Sequence, residues 1–193
     1  MAQYNASVAP LINIEFTVTA AQPYYPSGSI HGGFDISTGA NDPIYTMTGG
    51  RVLYSDYNTG GYGNMVIIQD QTTGVTLLYA HMRDRPMVYV GQTVLPQQQI
   101  GVEGTTGQST GIHLHLEIQY LNPGDPWDWN VPKLERPHVA DFMGIPNQAG
   151  ITAIYDGSPY VPPGPTPTTR KHHYKFVLFD RRNRANSYFK RRR

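Results

Sequence analysis

Seven histidines occur in the 193 residues, and four of them fall where a strand begins, runs or ends. The segment Gly111-Ile-His-Leu-His-Leu-Glu-Ile118 alternates aliphatic and polar residues. Side chains of a strand alternate between faces. His113, His115 and Glu117 therefore share one face, and Ile112, Leu114, Leu116 and Ile118 hold the other. Imidazole is a leading zinc ligand, and two rings at i and i+2 lie within reach of one ion. The same pattern also describes two surface histidines on an amphipathic strand, so the pair alone decides nothing. In Ser29-Ile-His-Gly-Gly-Phe-Asp-Ile-Ser37, His31 and Asp35 bracket two glycines and Phe34. The glycines let the chain bend so that the His31 ring returns to the site of Asp35. The two segments together supply one carboxylate and up to three imidazoles. Three ligands with an open fourth position is the donor pattern of a catalytic zinc site. His81, at the end of Leu-Leu-Tyr-Ala-His, reads by itself as a histidine at a strand terminus pointing to solvent. His138, His172 and His173 fall in loop or tail and read as structural. Cysteine is absent, so any metal must be held by histidine and carboxylate, and no disulfide framework exists.

Such residues need strands to position them, and the sequence is rich in strand signals. Short alternating runs separated by glycine-containing turns recur every 8–15 residues or so from residue 31 to about 120. They include Phe34–Ser37, Arg51–Tyr57, Asn64–Asp70, Gly74–Met82, two short strands within 87–104, and Ile112–Tyr120. No window shows sustained helical periodicity. The expected fold is all-β, an antiparallel sheet or sandwich with an irregular C-terminal extension, and 193 residues suffice for one such core plus extensions. The expected organisation is a lead-in (1–30) with a strand at Leu11–Thr19, a β-domain (31–120), an irregular stretch (121–158), a Pro-rich linker (159–169) and a basic tail (170–193).

The net charge of +1 hides a split: residues 1–169 hold five Lys/Arg against thirteen Asp/Glu, and residues 170–193 hold ten against one. The body is acidic, so nucleic acid is not expected as the main partner. The tail suits an anionic polymer or an acidic neighbour such as a virion protein. No apolar run approaches the roughly 20 residues needed to span a bilayer. The first residues lack a basic region and their apolar run is broken by Pro10, Asn13 and Glu15, unlike a Sec signal peptide. The expectation is a chain that stays in the cytoplasm, leaves through a virion or at lysis, or is a fragment of a longer protein.

In order and spacing, His31-Gly-Gly-Phe-Asp35, Tyr79-Ala80-His81 and His113-Leu-His115 resemble the lysostaphin/LytM-type zinc endopeptidases of peptidoglycan. The hairpin text Gly49–Asp70 and the run Val90–Ile118 are also similar to that family, and the resemblance covers about residues 28–120. It implies that His31, Asp35 and His115 bind one Zn²⁺ and that His81 and His113 are non-ligand catalytic imidazoles. Which of the two is the base stays open. It implies a peptide cross-link or stem peptide of peptidoglycan as substrate, and a phage tail or lysis enzyme is the nearest picture. The alternative is a zinc-stabilised, non-catalytic wall-binding or virion module. No ligand or catalytic position of the family pattern is missing. Leu116 stands where an aromatic residue is common, with only a packing consequence expected. Glu117 is expected to be solvated or surface-paired rather than a partner that orients a ligand ring. Tyr62 and Asn64 are candidates to line a substrate groove.

Overall fold

The computed structural model describes residues 3–158. The Pro-rich linker and the basic tail lie outside the described residues. Eleven strands occur among those described: β1 (Gln3–Asn5), β2 (Glu15–Ala20), β3 (Phe34–Ser37), β4 (Pro43–Tyr45), β5 (Gly50–Asn58), β6 (Gly63–Gln69), β7 (Val75–Met82), β8 (Thr93–Val94), β9 (Gln99–Val102), β10 (Leu114–Tyr120) and β11 (Thr152–Ile154). Nine form one sheet in the order β1-β11-β2-β3-β10-β7-β6-β5-β8, and β4 pairs with β9 in a small second sheet. All pairings are antiparallel except β1 with β11. The all-β expectation holds.

The hairpins follow from their turns. Between β6 and β7 the Asp70 carboxylate accepts hydrogen bonds from the backbone N–H of Thr72 and the hydroxyl of Thr73, both at 2.8 Å. Gly74 closes that turn at φ +76°, a left-handed conformation that glycine adopts without a Cβ clash. β6 is buried along its whole length. Its alternation sends Val66 and Ile68 into the main core, with Leu77, Tyr79, Leu116 and Ile118. Met65 and Ile67 turn to the opposite face, where they pack with Leu78, Ala80 and Trp127. The sheet centre is thus covered on both faces, which removes water from each.

Three details differ from the sequence reading. The lead-in strand starts at Glu15, not Leu11, because Asn13 takes a left-handed φ of +59° that breaks an extended run. β4 carries too short an alternation to stand out. The stretch 121–158 is irregular for most of its length, yet it holds a 3₁₀ turn at Lys133–Glu135, a helix α1 (Val139–Met143) and β11. α1 buries Val139, Ala140 and Met143, and Gly144 ends it at φ +72°. β11 pairs with β2, which in turn pairs with β3, the strand that carries Asp35.

Candidate active site

β3, β10 and β7 lie side by side, and their register assembles the site. His115 on β10 stands opposite Asp35 on β3 and opposite Ala80 on β7. The adjacent His81 brings the third segment to the same place. Its φ of +62° is a left-handed conformation that few non-glycine residues adopt. Its amide donates to the Tyr62 carbonyl at 2.9 Å rather than continuing the ladder, so the strand kinks where the ring must turn. His113 precedes β10 and is tied to Gly104 by an isolated bridge.

The five side chains converge. His31 Nε2 lies 3.2 Å from Asp35 Oδ1 and 3.2 Å from His115 Nδ1, and His115 Nδ1 lies 2.8 Å from Asp35 Oδ1. His31, Asp35 and His115 are all buried, and their donor atoms form a group with the spacing to hold a metal ion. His81 and His113 face each other beside it, with ring centroids 4.7 Å apart. His113 Nε2 is 3.8 Å from Asp35 Oδ2.

Each ring has its outward nitrogen engaged. Nδ1 of His31 bonds the Ala21 carbonyl at 3.3 Å, Nδ1 of His81 the Thr106 carbonyl at 2.8 Å, and Nδ1 of His113 the Gly111 carbonyl at 2.9 Å. His115 is reversed: its Nε2 bonds Glu117 Oε1 at 3.1 Å, which leaves Nδ1 on the inside. A carbonyl or carboxylate accepts only from N–H, so the partner fixes the tautomer of His31, His81 and His113 and presents Nε2 inward, while His115 has a carboxylate at each nitrogen, Glu117 outside and Asp35 inside.

Electrostatics favour a cation here. Burial alone would raise the Asp35 carboxyl, but hydrogen bonds from His115 and His31 outweigh it and hold the group well below the carboxylate range. Burial would lower His115, but its bonds to Asp35 and Glu117 outweigh that and raise it to about 9. The same two carboxylates that hold a proton there favour a metal ion. Burial pushes His81 down to about 4, helped by its neighbours His115 and His113. Gly33 makes room for the centre. A Cβ there would meet His115 Cε1 at 2.4 Å and the Leu116 carbonyl oxygen at 2.5 Å. Two imidazoles and a carboxylate, buried and pre-oriented, are a donor set that zinc takes.

Two neighbours, Tyr25 and Trp129, carry no signal in the sequence. Tyr25 stacks on His31 with centroids 4.0 Å apart. Tyr62 lies against His115 at 5.7 Å and against Trp129 at 5.8 Å. Asn64, by contrast, is buried and bonds the carbonyls of Met82 and Arg83, so it braces the hairpin. Leu116 is buried opposite Tyr79 and Phe34, a packing position. The expectation for Glu117 is overturned. It is 1% exposed, bonded to His115, Tyr62 and Arg136. The polar face of β10 is covered by residues after the strand, and alternation along one strand cannot reveal what covers it.

Residues 29–128, just over half of the chain, match Peptidase family M23. The chain belongs to that family. Peptidases of M23 are zinc metalloenzymes, and homologues act on peptidoglycan. Among curated relatives, the chain is 33% identical over 116 residues to the uncharacterized lipoprotein YgeR of Escherichia coli K12, covering 60% of this chain and 45% of that protein. It is 39% identical over 120 residues to the peptidoglycan DD-endopeptidase ShyA of Vibrio cholerae, covering 58% and 26%. The chain thus spans less than half the length of these two relatives. The catalytic domain of lysostaphin from Staphylococcus simulans shares the fold, with a TM-score of 0.53 at 22% identity over 67% of this chain and 91% of that one. The five clustered side chains lie on or just before β3, β7 and β10, all within the matched residues, which end eight positions before Arg136. No helix among the described residues is long and apolar enough to cross a membrane.

Proposed function

We propose that this chain is a zinc-dependent endopeptidase that cleaves peptide cross-links or stem peptides of bacterial peptidoglycan. His31, Asp35 and His115 hold the metal, and His81 and His113 act on the substrate. One observation carries the reading. Nε2 of His31, Oδ1 of Asp35 and Nδ1 of His115 meet within 3.2 Å of one another, while the rings of His81 and His113 stand beside them without joining the group.

Bound at these donors, zinc supplies a Lewis acid that polarises an amide carbonyl and lowers the pKa of water. The residues do the rest. Ala21 and Glu117 hold the ligand rings so that their inward nitrogens need no reorganisation. Burial holds His81 below the usual imidazole range, which favours the neutral ring. With its Nδ1 proton held by Thr106, its Nε2 lone pair accepts the proton of the attacking water. His113 has the same tautomer. The proton that His81 takes from water is returned to the leaving amine, directly or by way of Nε2 of the adjacent His113, whose ring centroid lies 4.7 Å away.

The test is digestion of purified peptidoglycan by the protein, with and without chelator, read as new amine termini. New termini that vanish with chelator and return with Zn²⁺ support the reading, as does loss of zinc binding in His115→Ala. Zinc uptake without new termini removes the enzymatic claim and leaves a zinc-stabilised, non-catalytic module.

A further inference from the structure

Arg136 lies outside the family-matched residues, yet it reaches the metal-ligand shell. Its Nη1 bonds Glu117 Oε2, and its Nε lies 3.4 Å from the Val131 carbonyl. Arg136 is 5% exposed and Glu117 1%. Glu117 Oε1 accepts the Tyr62 hydroxyl at 2.9 Å and faces His115 Nε2 at 3.1 Å. A Cβ on Gly32 would come within 3.2 Å of the Arg136 guanidinium, so the arginine also abuts the turn between His31 and Asp35. A carboxylate this deeply buried persists only when its oxygens are paired. Arg136 and Tyr62 do so and leave it one free direction, toward His115.

We infer that Arg136 and Glu117 are positioning residues for the metal site. Arg136 holds Glu117, Glu117 holds the Nε2 proton of His115, and Nδ1 is thereby turned to the ligand group. This rests on the metal reading above and extends it to a segment beyond the β-domain. Glu117→Gln keeps the shape and breaks the logic in either orientation. With its NH₂ toward His115, the amide offers a donor where an acceptor is needed. With its oxygen there, the NH₂ meets the Arg136 guanidinium.

The experiment uses the full chain, stripped of metal and titrated with Zn²⁺. Co²⁺ absorption serves as a second readout of the ligand field, and thermal melting runs alongside. Glu117→Gln and Arg136→Met are expected to weaken zinc affinity by about 10–100-fold, the usual effect of losing a partner of a ligand ring, with Arg136→Lys restoring part of it. Arg136→Met leaves a buried charge unpaired and is the variant at risk of unfolding. The double variant Glu117→Leu/Arg136→Met removes that charge together with the acceptor for His115 Nε2, and is expected to melt closer to the wild type than Arg136→Met while still binding zinc weakly. A double variant that regains both stability and zinc affinity, or a folded Glu117→Gln within about twofold of wild-type affinity, overturns the inference. Failure of the wild type itself to take up Zn²⁺ overturns the metal reading and, with it, this one.

Discussion

The carbonyl of Thr106 accepts the Nδ1 proton of His81 at 2.8 Å, so a loop residue decides which nitrogen of that ring faces the site. The Thr106 hydroxyl holds the loop in place: it donates to the Met82 carbonyl at 2.6 Å and accepts from the Asn64 amide at 3.0 Å. Thr106→Val removes both bonds and keeps the side-chain volume. It should cost about 1–3 kcal/mol of stability, since the buried Asn64 amide loses its acceptor and the Met82 carbonyl keeps only the longer bond from Asn64 Nδ2. It should also lower kcat with zinc content unchanged. Thermal melts with metal analysis check this, and a variant with full kcat contradicts the role given to the loop.

His81 and His113 stand outside the ligand group, and the proposed roles predict a split between binding and chemistry. His81→Ala and His113→Ala should each reduce turnover by about 10²–10⁴, the range for a lost general acid–base group. Zinc stoichiometry should match the wild type in both. Loss of the metal in either variant moves that histidine into the ligand set.

Gly33→Ala tests how little space surrounds His115. The new methyl would stand 2.4 Å from the ring and 2.5 Å from a backbone oxygen that cannot move without shifting β10. Overpacking of this kind costs about 1–3 kcal/mol, and zinc affinity should fall with it. Gly111→Ala is the control, since nothing lies within 4 Å of its Cβ position. Equal zinc affinity in the two variants contradicts the argument.

Glu103 gives a pH prediction away from the metal site. It is fully buried, and its Oε1 has no hydrogen-bond partner. Thr38 has one hydroxyl proton, yet its oxygen lies 2.7 Å from Asp42 Oδ2 and 2.6 Å from Glu103 Oε2. A proton on Glu103 Oε2 donates to the Thr38 oxygen and frees the Thr38 hydroxyl to donate to Asp42, so both contacts become hydrogen bonds. Burial raises Glu103 from 4.5 to about 7, against the lowering effect of Thr38. The folded value exceeds the unfolded one, so this contribution to stability is fullest below pH 4.5 and is lost as pH rises through about 7. Glu103→Gln cannot ionise. It should match the wild type near pH 4 and exceed it near pH 8 by on the order of 2–3 kcal/mol. Chemical denaturation at the two pH values decides it. An equal gap at both means that Glu103 does not titrate in this range.

The candidate donors could be picked out in the sequence because they obey local rules. Strand alternation places His113 and His115 on one face, and the two glycines mark the turn between His31 and Asp35. Residue chemistry limits a metal to histidine and carboxylate, and the order of the three segments matches the family. The sheet itself was legible too, from turns spaced between alternating runs. What only the tertiary structure decided is how those donors are aimed. Asp35 meets His115 across 80 positions, Tyr62 meets Glu117 across 55, and Arg136 meets Glu117 across 19. Glu117 looks like a solvent-facing residue of an amphipathic strand until the segment after that strand folds back over it. Burial, ring tautomer and the pairing of a charge depend on what packs against a residue, and periodicity along one strand carries no information about that.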